Sequence, residues 1–456
     1  MSAVFTPGTG PQTGRTWLVS GRVIDSKSGL DAVRSVLIED GKIKLVREAP
    51  PDAGERENAR VIDCANLLIL PGFVDLHVHL REPGEEGKET IETGVRSAVA
   101  GGVTTLVAMP NTKPVMDSAA IVRLVQSRGR EAGLAKVLCS GAITRGSLGE
   151  ALSDAAELRD AGVVVLTDDG RPVMHAGVMR RALEYATDLK LPVMIHAEDL
   201  HLSSGGAMNE GPVSTRLGLP GVPAAAEVAM VQRDILLAEL TGAHLHVAHV
   251  SAAGSVRAIR DAKARGLKIT AEATPHHFTL TDEAVAGVPS GYPNAPAGIP
   301  YDTFAKMSPP LRGESDRQAI VGALADGVID AIATDHAPHG PLDKQVEFGC
   351  AMNGITGLET SLALTLSLVR TGELSLLAAV DRLTYGPARA LHLPGGTLSV
   401  GVAADVTVVD PERVWKVDSK LLHSKSKNSP FLGWSLKGKV LRTFVDGREV
   451  YRLEDR

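Results

Sequence analysis

The chain has little cysteine, no long apolar run and no concentration of positive charge. Its three cysteines, Cys64, Cys139 and Cys350, show no CxxC spacing and cannot form the disulfide framework of a small secreted protein, so a reducing compartment, the cytoplasm, is expected. No uninterrupted apolar stretch approaches the roughly 20 residues needed to span a bilayer. Nothing in the sequence therefore points to a membrane.

The charge balance also argues against a nucleic-acid partner. The formal net charge is −6, with lysine and arginine scattered along 456 residues, and no basic stripe is present to neutralise phosphates. A content of 44% hydrophobic and 22% charged residues is ordinary for a globular protein with a large core. These observations favour a cytoplasmic enzyme that acts on a small molecule.

The two ends of the chain share one pattern. Residues 1–15 lack the basic start and apolar core of a signal peptide, and predict a flexible tail. Residues 16–70 and 396–456 consist of short alternating runs, with Asp40-Gly41 as a hairpin turn signal. We expect both segments to form one small β domain.

Between them, residues 71–395 alternate strand and helix signals with a period near 40 residues. Helices are predicted over 90–100 and 224–240. Eight such units favour a closed (β/α)8 barrel, in which all strands end on one face and build the active site there. The eight predicted strands are 73–79, 103–109, 136–143, 163–168, 192–197, 244–250, 268–274 and 329–334.

Metal-binding residue types collect at the ends of these strands. His77 and His79 are two positions apart, so in a strand both imidazoles point to the same side. Three further strand-like runs end in His196, His249 and Asp335. Four imidazoles and a carboxylate are too many for one tetrahedral ion with an open position, so two metal ions are expected.

Two cations need an anionic bridge, and the adjacent Asp168 and Asp169 close the fourth strand. Because side chains alternate, only one should face the barrel mouth; we favour Asp169 as the ligand and Asp168 as a turn cap. His244 and His246 come earlier in the same strand than His249, and we interpret them as structural residues. The pair His276-His277 is left open between a supporting role and the pocket wall.

Three motifs together resemble the dihydroorotases of the long, bacterial class I type, within the amidohydrolase superfamily. They are His77-Val-His79-Leu-Arg81-Glu-Pro83-Gly84, Ala100-Gly-Gly-Val-Thr-Thr-Leu-Val-Ala-Met-Pro-Asn111-Thr-Lys-Pro114 and Thr334-Asp335-His336-Ala-Pro338-His339. The resemblance runs from about residue 17 to the end. It implies a TIM-type barrel with a small β-sandwich built from both termini, and hydrolysis of dihydroorotate to N-carbamoyl-L-aspartate.

The resemblance also implies roles for individual residues. Asp335 would act as base and then acid. The implied metal ligands are His77, His79, Asp169, His196, His249 and Asp335, and the implied substrate contacts are His79, Arg81, Asn111, Ser308, His339, Asn353 and Gly354. Ser308 stands before Pro-Pro-Leu-Arg where many relatives have Asn, and Arg81 could instead brace the loop after the first strand.

Other properties implied by the resemblance are one or two zinc ions, with two favoured, a homodimer and a possible aspartate carbamoyltransferase partner. Two alternatives stay open. Hydantoinases and allantoinases usually bridge their metals with a carbamylated lysine, but residues 163–170 contain none. A non-catalytic scaffold of the transcarbamoylase would be expected to lose ligands. The Gly/Pro-rich stretches 287–300 and 340–354 are candidates for loops over the substrate.

Overall fold

Eight parallel strands form the centre of the molecule. A computed structural model describes residues 2–8, 10, 14–289, 292 and 295–454. Consecutive barrel strands are hydrogen-bonded neighbours, and each falls within or beside a predicted one, which confirms the barrel. The barrel strands, one to eight, are Phe73–Val78, Val103–Ala108, Lys136–Gly141, Val163–Leu166, Val193–Ile195, Leu245–Val247, Ile269–Ala273 and Ala331–Ile332.

The first and eighth strands close the barrel through side-chain and backbone contacts. Val78 pairs in parallel with His336, and His79 N donates to His336 O at 2.9 Å. Below this pair, the Asp75 carboxylate accepts from Thr334 N at 3.1 Å and from Thr334 Oγ1 at 2.6 Å. The closure therefore brings the carboxyl ends of strands one and eight together.

Helices cover the outside of the barrel. Ile91–Ala100 begins where the Thr90 hydroxyl accepts from Thr93 N at 3.1 Å, a common way to satisfy a free helical N–H. Its apolar face, including Val95 and Val99, is buried. One short helix, Ala53–Arg56, lies instead against the strand Ala59–Asp63 of the terminal sheet. The other helices are Ala119–Ala132, Ala155–Asp160, Ala176–Leu189, Pro212–Leu217, Ala225–Thr241, Ala253–Ala264, Pro275–Thr279, Glu314–Asp326, Pro341–Lys344, Ser361–Arg370, Leu376–Leu383 and Tyr385–Ala390.

Strands from both ends of the chain share a second sheet, as predicted. Val406–Lys416 pairs antiparallel with Leu68–Pro71 and so joins the two termini. Along Arg15–Asp25, Trp17 and Leu18 belong to different apolar clusters. In hydrogen-bonded order the strands are Ser2–Phe5, Arg448–Glu454, Ser435–Val445, Val406–Lys416, Leu68–Pro71, Arg15–Asp25, Leu30–Glu39 and Lys42–Arg47, with Ala59–Asp63 also paired to Arg15–Asp25.

The N-terminal tail prediction is wrong for part of residues 1–15. Ser2–Phe5 pairs antiparallel with Arg448–Glu454, because the edge strand offers free backbone groups that local composition does not reveal. Residues 1, 9 and 11–13 lie outside the described residues. The boundaries at 70/71 and 395/396 stay predictions. Across the part of the chain that the structure describes, no helix is long and apolar enough to cross a membrane.

Candidate metal centre and substrate pocket

Six side chains converge at the carboxyl end of the barrel. Each follows or closes a strand, and all six are buried. Three backbone positions here, Arg81 (φ 62°), His249 (φ 32°) and Asp335 (φ 44°), lie in the left-handed region that non-glycine residues rarely adopt. The turn at His249 redirects the chain after strand six, so this residue reaches the centre without sharing the face of His246. The converging residues are His77, His79, Asp169, His196, His249 and Asp335.

Asp169 lies between the imidazoles. Its Oδ1 is 3.2 Å from His77 Nε2 and 3.7 Å from both His196 Nδ1 and His249 Nε2. Its Oδ2 is 3.4 Å from His79 Nε2. One carboxylate thus faces all four rings, the arrangement needed to bridge two cations.

Asp335 completes the first half of the cluster. Its Oδ1 lies 3.0 Å from His79 Nε2 and 3.6 Å from His77 Nε2. Two ligand atoms of a tetrahedral ion with bonds of 2.0–2.1 Å are separated by about 3.3 Å. The spacing in the cluster therefore fits metal coordination.

Neighbouring oxygens fix which nitrogen of two rings carries the proton. His77 Nδ1 lies 2.9 Å from Glu272 Oε1, and His79 Nδ1 lies 2.9 Å from Asn111 Oδ1. Both oxygens can only accept, so each Nδ1 must donate. In the neutral ring the Nε2 lone pair then points into the cluster, which is the form in which imidazole binds a metal.

The second half of the cluster supports the same conclusion. His196 Nε2 lies 3.3 Å from Glu198 Oε2 and donates to it, which leaves the lone pair on Nδ1. That nitrogen is 2.9 Å from His249 Nε2. Two lone pairs at this distance repel unless a cation or a proton lies between them. The buried His77 Nε2 also makes no hydrogen bond within the described residues, so the donor set fits metal ions.

The central carboxylates are ionised. Burial opposes the charge on Asp169, but His77, His196 and His249 hold its pKa well below the usual range. Burial likewise opposes ionisation of Asp335, and the nearby His77 and His79 lower its pKa. Negative charge is therefore available where two cations would meet.

Sequence reasoning missed two supporting carboxylates, Glu272 and Glu198. Glu272 lies on strand seven and accepts from His246 Nε2 at 3.1 Å as well as from His77. Burial opposes its charge, yet the hydrogen bonds from His246 and His77 lower its pKa to about 2. An acidic residue inside an apolar strand was the available signal. For Glu198 the signal was its position two residues after a ligand, on the same face.

Three residues that were given structural roles from the sequence bond to other parts of the fold. Asp168 accepts from Thr144 N at 3.1 Å and from the Thr144 hydroxyl, and burial raises its pKa to about 6. His244 Nε2 and His246 Nδ1 both lie 2.9 Å from Thr270 Oγ1. His244 and His246 thus have structural contacts, as predicted, whereas the Asp168 carboxylate bonds Thr144, after strand three, rather than capping the turn after strand four.

The two histidines of the pair His276-His277 differ in their contacts. His277 is held by Thr274 Oγ1 at 2.7 Å and by Pro309 O at 3.0 Å. The buried Nε2 of His276 has no hydrogen-bond partner among the described residues. Burial and the neighbouring His277 lower the pKa of His276 well below its usual value. His276 is thus neutral, and its place in the pocket wall stays a prediction.

Beside the metal cluster, Arg81 contacts His339. Arg81 Nε donates to Pro338 O at 3.1 Å, and Nη2 donates to His339 Nε2 at 3.2 Å. Accepting from a guanidinium requires a neutral ring, and burial lowers the pKa of His339 to about 2. Arg81 therefore ties the loop after strand one, in which it lies, to the loop after strand eight. No hydrogen bond from its Nη1 occurs within the described chain, which leaves that group for a ligand.

The remaining predicted substrate contacts are not equally placed. Asn111 Nδ2 donates to Asp169 Oδ2 at 3.2 Å, so this amide supports the cluster. Ser308 Oγ donates to Glu198 Oε2 at 3.1 Å, which links the unusual serine to His196. Gly354 packs against His339, because a Cβ there would lie 2.6 Å from His339 Cδ2. The neighbouring Asn353 is exposed.

The stretch 340–354 is anchored rather than open. Lys344 lies inside this stretch. Its Nζ donates to Met352 O at 2.6 Å, also inside the stretch, and to Thr303 O at 3.0 Å, which lies outside it. Gly354 N donates to Lys306 O at 3.0 Å. The other candidate loop, 287–300, falls partly outside the described residues, at 290, 291, 293 and 294.

Comparison with known proteins agrees with the geometry. Residues 66–255 match a family described as dihydro-orotase-like, and residues 226–451 match an amidohydrolase family. A dihydroorotase of Anaeromyxobacter sp. (strain K) is 54% identical over 435 residues, covering 95% of this chain and 97% of the relative. A dihydroorotase of Syntrophotalea carbinolica is 52% identical over 438 residues, covering 96% and 99%.

Solved structures show the same architecture in related enzymes. An L-hydantoinase (dihydropyrimidinase) from Arthrobacter aurescens superposes with a TM-score of 0.82 at 26% identity and covers 96% of each chain. A dihydropyrimidinase from Brevibacillus agri NCHU1002 has a TM-score of 0.79 at 23% identity, covering 96% of this chain and 95% of that one. The latter likeness shows the fold alone.

Proposed function

This chain belongs to the dihydroorotase family of the amidohydrolase superfamily, and from that premise we propose that it hydrolyses the ring amide of (S)-dihydroorotate, reversibly, to N-carbamoyl-L-aspartate. This reaction belongs to de novo pyrimidine biosynthesis. The observation that carries the proposal is the position of Asp169 within 3.7 Å of four histidine rings. Such a cluster can hold a metal centre for opening a cyclic amide.

We propose zinc as the metal, with two ions per subunit. Imidazole nitrogen and carboxylate oxygen are ligands that suit zinc. One ion would be held by His77, His79 and Asp335, and the other by His196 and His249, with Asp169 shared. Bound ions of this kind acidify water and polarise carbonyl oxygens, which supplies the nucleophile and the electrophilic assistance for amide hydrolysis.

Asp335 is the proposed acid–base residue. Its Oδ1 lies 3.0 Å from His79 Nε2 and 3.6 Å from His77 Nε2, and although burial opposes its charge, these histidines lower the pKa of its carboxyl group. An ionised carboxylate can take the proton of the attacking water and return it to the departing ring nitrogen. The ring nitrogen then leaves as a neutral amide nitrogen of the ureido product.

Arg81 and His339 are proposed to hold the substrate carboxylate. Arg81 presents a planar, permanently charged fork that matches a carboxylate. The neutral His339 ring, which accepts from Arg81 at Nε2, keeps its N–H on Nδ1. The pair therefore presents a positive charge and a fixed N–H dipole side by side, with Arg81 Nη2 3.2 Å from His339 Nε2.

Arg81→Lys is expected to raise KM for dihydroorotate about tenfold or more while kcat changes less, because a single ammonium group cannot keep the contacts with Pro338 and His339 and also present a planar donor to the substrate carboxylate. Initial rates over a range of substrate concentrations measure both constants. Arg34→Lys, at a partly exposed surface pair with Glu48, is the matched control. A fall in kcat alone would contradict this role for Arg81.

The rival activities differ from the proposed one in the residue that bridges the two metal ions. Among hydantoinase-like enzymes a carbamylated lysine is the usual bridge, whereas here the carboxylate of Asp169 takes the central place. A scaffold without catalysis is disfavoured because all six proposed ligands are kept and gathered. Both observations support a catalytic dihydroorotase.

Family resemblance also supports further proposals about assembly and location. We propose that the chain is a cytoplasmic homodimer and that aspartate carbamoyltransferase can bind it. Light scattering of the purified chain, alone and mixed with that enzyme, measures both associations.

A direct assay tests the proposed function. We expect zinc-supplemented protein to convert L-dihydroorotate to N-carbamoyl-L-aspartate, and chelation to abolish turnover until zinc is restored. Hydantoin and allantoin serve as competing substrates. Preferred turnover of either would overturn the assignment, and inactivity of metal-loaded protein both alone and with added transcarbamoylase would support the scaffold alternative.

A further inference from the structure

Asn428 reaches the active site from the terminal domain. It lies in the segment between Val406–Lys416 and Ser435–Val445, and its side chain is buried. Its Nδ2 donates to Ala337 O and to Gly354 O, both at 2.9 Å, and its Oδ1 accepts from His339 N at 2.9 Å. Because the partners are two carbonyls and one N–H, only one orientation of the amide satisfies all three bonds.

These three bonds join two segments of the proposed substrate pocket. Ala337 and His339 follow Asp335 in the loop after strand eight, and Gly354 belongs to a separate turn. The two segments are in direct contact, since a Cβ on Gly354 would lie 2.6 Å from both Ala337 O and His339 Cδ2. A small displacement of either segment would therefore move the His339 ring.

The backbone of Asn428 strengthens the same junction. Thr356 N donates to Asn428 O at 2.9 Å, and Ala337 N donates to Ile355 O at 2.9 Å. The chain on either side of Gly354 is thus tied to the loop after strand eight and to the terminal domain.

Buried barrel carboxylates hold the segment that carries Asn428. Glu89 Oε1 accepts from Lys425 N at 2.9 Å, and its Oε2 accepts from the Ser424 hydroxyl. Glu359 Oε1 accepts from His423 N at 2.6 Å. Asn428 is therefore presented from a fixed base, and its effect on the pocket does not depend on a mobile side chain.

We propose that Asn428 is a positioning residue that sets the place of His339 and of the Gly354 turn for substrate binding. The inference rests on the proposed dihydroorotase function. It makes the terminal domain a functional part of the active site, since the barrel alone would lack the group that fixes this side of the pocket. Asn428 touches none of the six proposed metal ligands, so its effect should appear in binding.

The test uses Asn428→Asp, which keeps the shape but turns both N–H donors into an oxygen facing two carbonyls. We expect KM for dihydroorotate to rise at least tenfold, kcat to change less than threefold, and metal content to stay at the wild-type value. Asn428→Ser, which retains one donor, should give a smaller rise. It also provides the measurement if the aspartate variant does not fold.

Thr397→Val is the matched control. Thr397 Oγ1 is buried in the terminal domain and donates to Asp25 Oδ2 at 2.9 Å, away from the pocket. The control should alter thermal stability but not KM. Unchanged KM in folded, metal-loaded Asn428 variants, or an equal rise in the control, would overturn the inference.

A second readout separates this inference from the proposed function. In a histidine-labelled NMR spectrum, with the His339 signal assigned from His339→Gln, Asn428→Asp should shift or broaden that signal and Thr397→Val should not. An inactive wild-type protein would count against the function only. An unmoved His339 signal would count against the role of Asn428 whatever the activity.

Discussion

Asp335→Asn is expected to lower kcat for dihydroorotate by about 10²–10⁴-fold, the usual contribution of a general acid–base group. The amide keeps the shape of the carboxylate but cannot take up and return a proton. Substrate binding should largely persist, because Arg81 and His339 are unchanged. Steady-state rates give kcat, and equilibrium binding of dihydroorotate to the variant gives the affinity.

Metal content must be measured beside these rates, since Asp335 is also a proposed ligand. Asp330→Asn is the matched control: this aspartate lies just before strand eight, at the opposite end of the barrel, where Oδ2 accepts from Ala271 N at 2.9 Å. It should affect stability rather than chemistry, because barrel active sites lie at the carboxyl face. A metal-loaded Asp335→Asn enzyme with wild-type kcat would refute the acid–base role.

Asp169→Asn should remove most of one metal ion per subunit and reduce turnover by on the order of 100-fold or more. This loss is larger than the loss that is typical when a group that only supports a metal ligand is mutated. The central carboxylate faces four imidazoles and would offset the repulsion between the two proposed cations. A neutral amide cannot do this. Elemental analysis after exhaustive buffer exchange, together with kcat, measures both effects.

The adjacent Asp168 provides a sharp control for that experiment. Its carboxylate accepts hydrogen bonds from Thr144 and not from the proposed metal ligands. Asp168→Asn should therefore lower the melting temperature but keep the two proposed ions per subunit. If both variants retained full metal content and activity, the shared-bridge assignment would be wrong. If Asp168→Asn alone lost metal, the two aspartates would have been assigned in the wrong order.

Much of the fold follows from patterns that are local along the chain. All eight barrel strands were predictable, because buried parallel strands are short apolar runs separated by helical periodicity. The edge strand Ser2–Phe5 was not, since its partner Arg448–Glu454 lies at the other end of the chain. Pairing of this kind depends on an available sheet edge rather than on the four residues themselves.

The candidate site divides in the same way. Strand alternation placed His77 and His79 on one side, and the ends of other strands supplied Asp169, His196 and the rest. These sequence patterns did not reveal that Asn111 would support the ring of His79, or that Ser308 would contact Glu198. Those contacts depend on how loops from different strands meet above the barrel.

The sequence by itself determined the barrel, the terminal β domain and the ligand types at the strand ends, because a pleated strand has a fixed side-chain period. Only the tertiary structure decided which nitrogen of each ring faces the cluster. Glu272 contacts His77 across 195 residues, and Asn428 contacts His339 across 89. Such partners are set by barrel closure and by the docking of the terminal domain, which bring together groups that no local pattern relates.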